Sequence, residues 1–109
     1  MIETRRLIEA TCPECRGPLS EVRQDHMAPE YQCLVGHRYA PLTVLDAHSD
    51  AQEKALWAAV VALEEAAKLV DALAPEFPED VARGLQEKAS KKRAQAAQIR
   101  IVIEQLERF

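Results

Sequence analysis

The stretch CPECRGPLSEVRQDHMAPEYQCLVGH, residues 12–37, contains all three cysteines and two of the three histidines of a 109-residue chain. Cys12 and Cys15 form a CxxC pair. Cys33 and His37 form a second pair after seventeen intervening residues, so the pattern is C-x2-C-x17-C-x3-H. Four N/S ligands in two close pairs, with enough chain between them for a β turn-back, suit tetrahedral zinc. Pro13 stiffens the first turn, and Gly36 supplies backbone freedom before the second pair closes. Three thiolates and a neutral imidazole fill four positions around Zn²⁺ and leave none for a catalytic water. One structural zinc is therefore expected on Cys12, Cys15, Cys33 and His37. Iron suits the same ligand types. His26 is the alternative to His37, but it falls between the pairs, and His48 falls at the start of the helical region. A redox CxxC is a competing reading, weakened because the pair does not lead into the helix of a βαβ unit, where a thiolate would be stabilised.

The same stretch separates two kinds of chain. Before Pro41 the residues read as short strands, "LIEAT", "LSEV" and "YQCLV", broken by Pro, Gly, Asp and His. "RQDHMAPE" reads as the tip between two of them. This part has too few apolar residues for a core of its own, and a bound zinc can contribute on the order of 10 kcal/mol to folding. The cysteines are concentrated because this lobe needs a metal to fold. After Pro41 the pattern is helical. Pro41 suits a first helical position, and Ser49 with Gln52 offers a second start, so 42–74 reads as one helix or a short one followed by a long one. Its apolar stripe is Leu56, Val60, Leu63, Ala67, Val70 and Ala74. "APEFP" breaks it. Pro78 then opens a second helix carrying Val81, Leu85, Ala89, Ala96, Ile99, Ile103 and Leu106. The fold expected is small α+β: a zinc-ribbon-like β lobe over 1–41 and a long antiparallel α-helical hairpin over 42–109, as one compact unit or two closely packed subdomains.

Composition narrows the function. The net charge of −4 disfavours nucleic acid. The one basic run, Lys88–Arg93, has no aromatic residues interleaved to stack bases. The longest apolar run, Ala55–Leu63, is nine residues, against the roughly 20 a membrane span needs. No secretory signal is visible, and the odd number of cysteines argues against a closed disulfide framework. A cytoplasmic protein without membrane contact is expected. Glu64-Glu65 and Glu79-Asp80 are neighbours that do not face each other on a helix, and no nucleophile–base–orienter set exists, so no enzyme is expected. "ALWAAVVAL" is apolar on every side of its helix, which one partner helix cannot cover. A homodimer, or docking on another protein, follows through Leu56, Trp57, Val60, Val61, Leu63, Ile99, Ile103 and Leu106.

"CPECRGPL", "YQCLVGHRYAP" and "ALWAAVVALEE" together resemble the zinc-ribbon-plus-helix extension that follows the catalytic domain in some bacterial chemotaxis-type protein-glutamate methylesterases. The resemblance covers roughly Cys12 to Leu73. It implies Cys12, Cys15, Cys33 and His37 as metal ligands and a bacterial, signalling-related accessory role. Arg16 stands where that pattern has glycine. The 109 residues hold no Gly-x-Ser-x-Gly elbow, their only serines being Ser20, Ser49 and Ser90, so methylesterase activity does not carry over. The function expected is a non-catalytic, zinc-stabilised protein–protein interaction module of bacterial signalling. A small nucleic-acid-binding zinc protein and a CxxC thiol redox switch are the alternatives.

Overall fold

Proline and glycine set the boundaries that the apolar spacing then fills. The computed structural model describes residues 2–109. It is a small α+β structure: a four-stranded antiparallel sheet followed by two helices. Strands β1 (Glu3–Thr11), β2 (Pro18–Gln24), β3 (Glu30–Cys33) and β4 (Arg38–Tyr39) lie in sequence order across the sheet. Helix α1 runs Pro41–Leu73, a 3₁₀ turn covers Ala74–Glu76, and α2 runs Glu79–Gln105. Contacts group the chain into two units, one running to Gln52 and including Glu107–Phe109, the other Glu53–Leu106.

In the first unit, β2 lies between β1 and β3. Leu19 stands opposite Cys33, while Val22 stands opposite Arg5 and Glu30. Residues of odd and even number take opposite faces of a strand, so Leu19 and Val22 are buried on different sides of the sheet. Leu19 packs with Cys12, Cys33, Tyr39 and Val44, flanked by Ile8, Tyr31 and Ala47. β1 slips register between Leu7 and Thr11, an irregularity of the bulge type. It extends "LIEAT" toward the N-terminus by four residues. "YQCLV" does not stay extended: β3 ends at Cys33, and Leu34 and Val35 are 86% and 76% exposed in the turn that returns the chain to His37. β4 was not anticipated, because two residues carry no readable alternation.

Pro41 begins α1, and the Ala40 carbonyl accepts the first helical bond from Val44 N–H. The helix is continuous, so Ser49 is an interior residue and not a cap. It is buried, and its Oγ accepts Phe109 N–H at 3.4 Å. Arg108 reaches Asp50 at 2.9 Å. In the second unit the residues read as a stripe are those withdrawn from water. Val60, Ala67 and Ala89 have no exposure, with Ala96 at 1% and Ala74 at 4%. Leu56, Leu63, Val70, Leu85, Ile99, Ile103 and Leu106 are half-buried. Val81 stays exposed, one turn into α2. Arg93 pairs with Asp71, and Arg100 with Glu64 at 2.9 Å. No helix among the described residues is long and apolar enough to cross a membrane.

Candidate metal centre

Two turns bring the four predicted ligands together. In the first, Arg16 N–H donates to the Cys12 carbonyl at 2.8 Å and Cys12 N–H to Gly17 O at 2.6 Å. Arg16 sits at φ +64°, a left-handed conformation that glycine adopts without strain. In the second, Gly36 N–H donates to the Cys33 carbonyl at 3.2 Å, and His37 N–H points at Cys33 Sγ at 3.4 Å. Gly36 takes φ +109° with open space where a Cβ would project. Its requirement is therefore conformational and not one of room.

The ligand atoms of Cys12, Cys15, Cys33 and His37 all lie within 4.8 Å of one another, a group that can hold a metal ion. Cys15 Sγ is 3.7 Å from Cys33 Sγ, and His37 Nδ1 is 3.5 Å from Cys12 Sγ and 3.2 Å from Cys33 Sγ. With Zn–S of about 2.3 Å and Zn–N of about 2.1 Å, a tetrahedron requires about 3.8 Å between sulfurs and about 3.6 Å from sulfur to nitrogen. The side chains thus stand close to the spacing such an ion needs. Cys12 and Cys33 are buried, His37 is half-buried and Cys15 is exposed.

Local hydrogen bonds adjust the thiols. Burial pushes Cys33 up, but the N–H groups of His37 and Gly36, with the Cys15 thiol and the His37 ring, outweigh it and bring the group from 9.0 to about 6. Burial also raises Cys12, and the N–H groups of Cys15 and Glu14 with the Tyr39 hydroxyl turn the balance downward. Gly17 N–H favours the Cys15 thiolate, yet partial burial and the two neighbouring sulfurs leave that thiol raised. His37 is raised, chiefly by its bond to Cys33. Two of the three thiols, Cys12 and Cys33, are thus shifted toward the thiolate, the form that binds a metal, while the crowding of sulfurs holds Cys15 back.

Two further residues adjoin the cluster. Glu14 lies inside the CxxC turn, with Oε2 at 3.1 Å from His37 Nε2. Its Oε1 accepts the Tyr39 hydroxyl at 2.7 Å. Neither residue was singled out from the sequence as part of the site; for Tyr39 the available signal was its place two residues beyond His37. Nothing in the sequence marks Glu14. His26 is exposed in the turn after β2, and His48 lies on α1 beside Ile8, Leu19 and Tyr31; neither joins the cluster. Of the residues proposed as an interaction surface, Trp57 and Val61 are 41% and 48% exposed, Val60 is fully buried, and Leu56, Leu63, Ile99, Ile103 and Leu106 are half-buried. The chain matches no family model, no curated protein and no solved structure.

Proposed function

We propose that Cys12, Cys15, Cys33 and His37 hold one structural Zn²⁺ that makes the N-terminal region a zinc ribbon. We propose further that residues 42–109 form an antiparallel helical hairpin, that the chain acts as a non-catalytic protein–protein interaction module, and that it works as a homodimer in bacterial signalling. The observation that carries the zinc reading is the spacing of the four ligand atoms against a zinc tetrahedron. Four protein ligands complete the coordination, so the metal organises structure and activates no water. The signalling assignment rests on the resemblance of the Cys12–Leu73 region to the methylesterase extension. The interaction surface is drawn on Trp57 and Val61, which are one turn apart on α1, remain exposed and have a cation, Arg100, 5.2 Å above the indole. An uncovered apolar pair of this kind fits a protein contact.

One observation favours a redox reading in second place: Cys15 is exposed and its sulfur is 3.7 Å from that of Cys33. Native mass spectrometry of protein purified without added metal separates the two. One zinc per chain in a dimer, reduced to monomer by Val61→Glu, is the expected result. A metal-free chain with an internal disulfide would overturn the structural-zinc reading in favour of the redox one, and a zinc-bound monomer would overturn the dimer.

A further inference from the structure

The geometry points to Glu14 as a positioning residue of the metal centre, fixing which nitrogen of His37 faces the thiols and tying the two ligand pairs together. This inference rests on the zinc reading. The carboxylate comes from the turn between Cys12 and Cys15, while both of its partners follow Cys33. One oxygen lies 3.1 Å from His37 Nε2 and the other accepts the Tyr39 hydroxyl at 2.7 Å. That hydroxyl is in turn 3.5 Å from Cys12 Sγ. A closed path therefore runs from Cys12 through Tyr39 and Glu14 to His37, whose Nδ1 returns to Cys12 at 3.5 Å.

The chemistry follows from the tautomers of imidazole. A neutral ring that offers the Nδ1 lone pair to a metal carries its proton on Nε2. That proton has an acceptor in Glu14. The other tautomer would set the Nε2 lone pair against a carboxylate and its proton against the thiols. Glu14 therefore selects the metal-binding tautomer and holds the ring plane. Ligating histidines commonly donate their second N–H to a carboxylate, and removing that partner costs roughly 10- to 100-fold in metal affinity. Tyr39, buried at 6% exposure, anchors the carboxylate so that it does not swing into water. Glu14, from the first pair's turn, thus bonds directly to His37 of the second pair and to Tyr39 beyond it, and ties the two turns together in the folded lobe.

The test compares wild type, Glu14→Ala, Glu14→Gln and the control Glu30→Ala, whose carboxylate meets Gln32 and Arg38 instead. Glu14 has a side chain 58% exposed, so its truncation opens no cavity. Zinc affinity is read by competition with a chromophoric chelator. The His37 ring is read by its nitrogen-15 signals and the exchange rate of the Nε2 proton in the zinc-loaded protein. Glu14→Ala is expected to bind zinc roughly 10- to 100-fold more weakly and to lose the slowly exchanging Nε2 proton. Glu14→Gln, whose amide oxygen still accepts that proton, is expected to recover both in part, and Glu30→Ala to match wild type. Glu14→Ala within about twofold of wild type with an equally protected Nε2 proton overturns the role of Glu14 while leaving the zinc site standing. A wild-type chain that folds but takes up no zinc overturns the site itself.

Discussion

Removing the metal should unfold the first unit. The aliphatic side chains larger than alanine that are buried there to below a tenth of their surface are Leu19, Val22 and Val44, at 1%, 6% and 8% exposure. At about 1.5–3 kcal/mol for each fully buried side chain, they contribute roughly 5–9 kcal/mol together. A structural zinc in a finger-like site contributes an apparent 10–16 kcal/mol or so at neutral pH, as much as those three side chains or more. The site and the core also share residues, since Cys12 and Cys33 pack directly with Leu19, Tyr39 and Val44. Withdrawing the ion loosens both ends of that cluster at once. The assay is a chelator titration of zinc-loaded protein at pH 7 followed by proton–nitrogen NMR, with zinc loss confirmed by mass. The amides of Leu19, Val22, Cys33 and Tyr39 should collapse to unfolded positions as zinc leaves. Ala67, Ala89 and Ala96 report whether the loss stays in the first unit. Native dispersion of the first-unit amides after complete zinc removal would refute the reasoning, because the core would then be sufficient alone.

Arg16→Gly relieves a residue at φ +64°; the left-handed cost of about 1–2 kcal/mol is partly offset by the freer unfolded glycine. A gain of about 0.5–1 kcal/mol in denaturant melts of the zinc-loaded protein is expected, and a loss would show that the Arg16 side chain itself stabilises the turn. Ala89→Leu forces three extra carbons into a site with no exposure and should cost about 1–3 kcal/mol in thermal melts, an unchanged melt meaning that the helix has room there. Because the fold lowers Cys33 from 9.0 to about 6, its contribution is complete above the ordinary thiol value and is lost as pH falls through that lowered value. Zinc retention, followed with a chromophoric indicator, should therefore persist at pH 7 and be lost only at lower pH, where protons compete with the ion for the thiolates; release centred near pH 8 would contradict the lowered thiol.

The clustering of the four candidate ligands was legible because tetrahedral metal sites impose a spacing rule on a sequence: two short pairs with a turn-forming Pro or Gly beside each. The helices were legible for a similar reason, since the alternating four- and three-residue steps from Leu56 to Ala74 predict the residues that are withdrawn from water. Ser49 left one helix or two open, because a serine reads as a cap and also serves as an interior hydroxyl when a distant N–H, here that of Phe109, reaches it. The sheet was less readable. β1 exposes eight of its nine residues, so no apolar alternation marks its length, and its partner β2 buries Leu19 and Val22 on opposite faces, which breaks the period of two. Glu14 was invisible for a different reason: its partners are 23 and 25 positions away, and one exposed glutamate in a turn looks like any other.

The distribution of size between inside and outside in the second unit bears on the proposed interaction. The positions most withdrawn from water are mainly alanines, at 67, 89 and 96, with Val60 the one larger side chain among them. Alanine permits close approach of backbones but removes little apolar surface from water, and burial stabilises in proportion to area. Larger side chains, Trp57, Val61, Leu69, Leu73, Ile101 and Val102, are each at least 41% exposed. A helix pair selected only for its own stability would gain by the reverse arrangement. Placing alanines at the most buried positions while these six larger side chains stay exposed forgoes intramolecular burial and leaves area whose coverage stabilises the chain only when another surface meets it. Arg100 over Trp57 shields one face of that indole while leaving the ring available. This is the physical ground for drawing the interaction surface on the helices, and for expecting that a charge placed at Val61 would weaken association far more than it weakens folding.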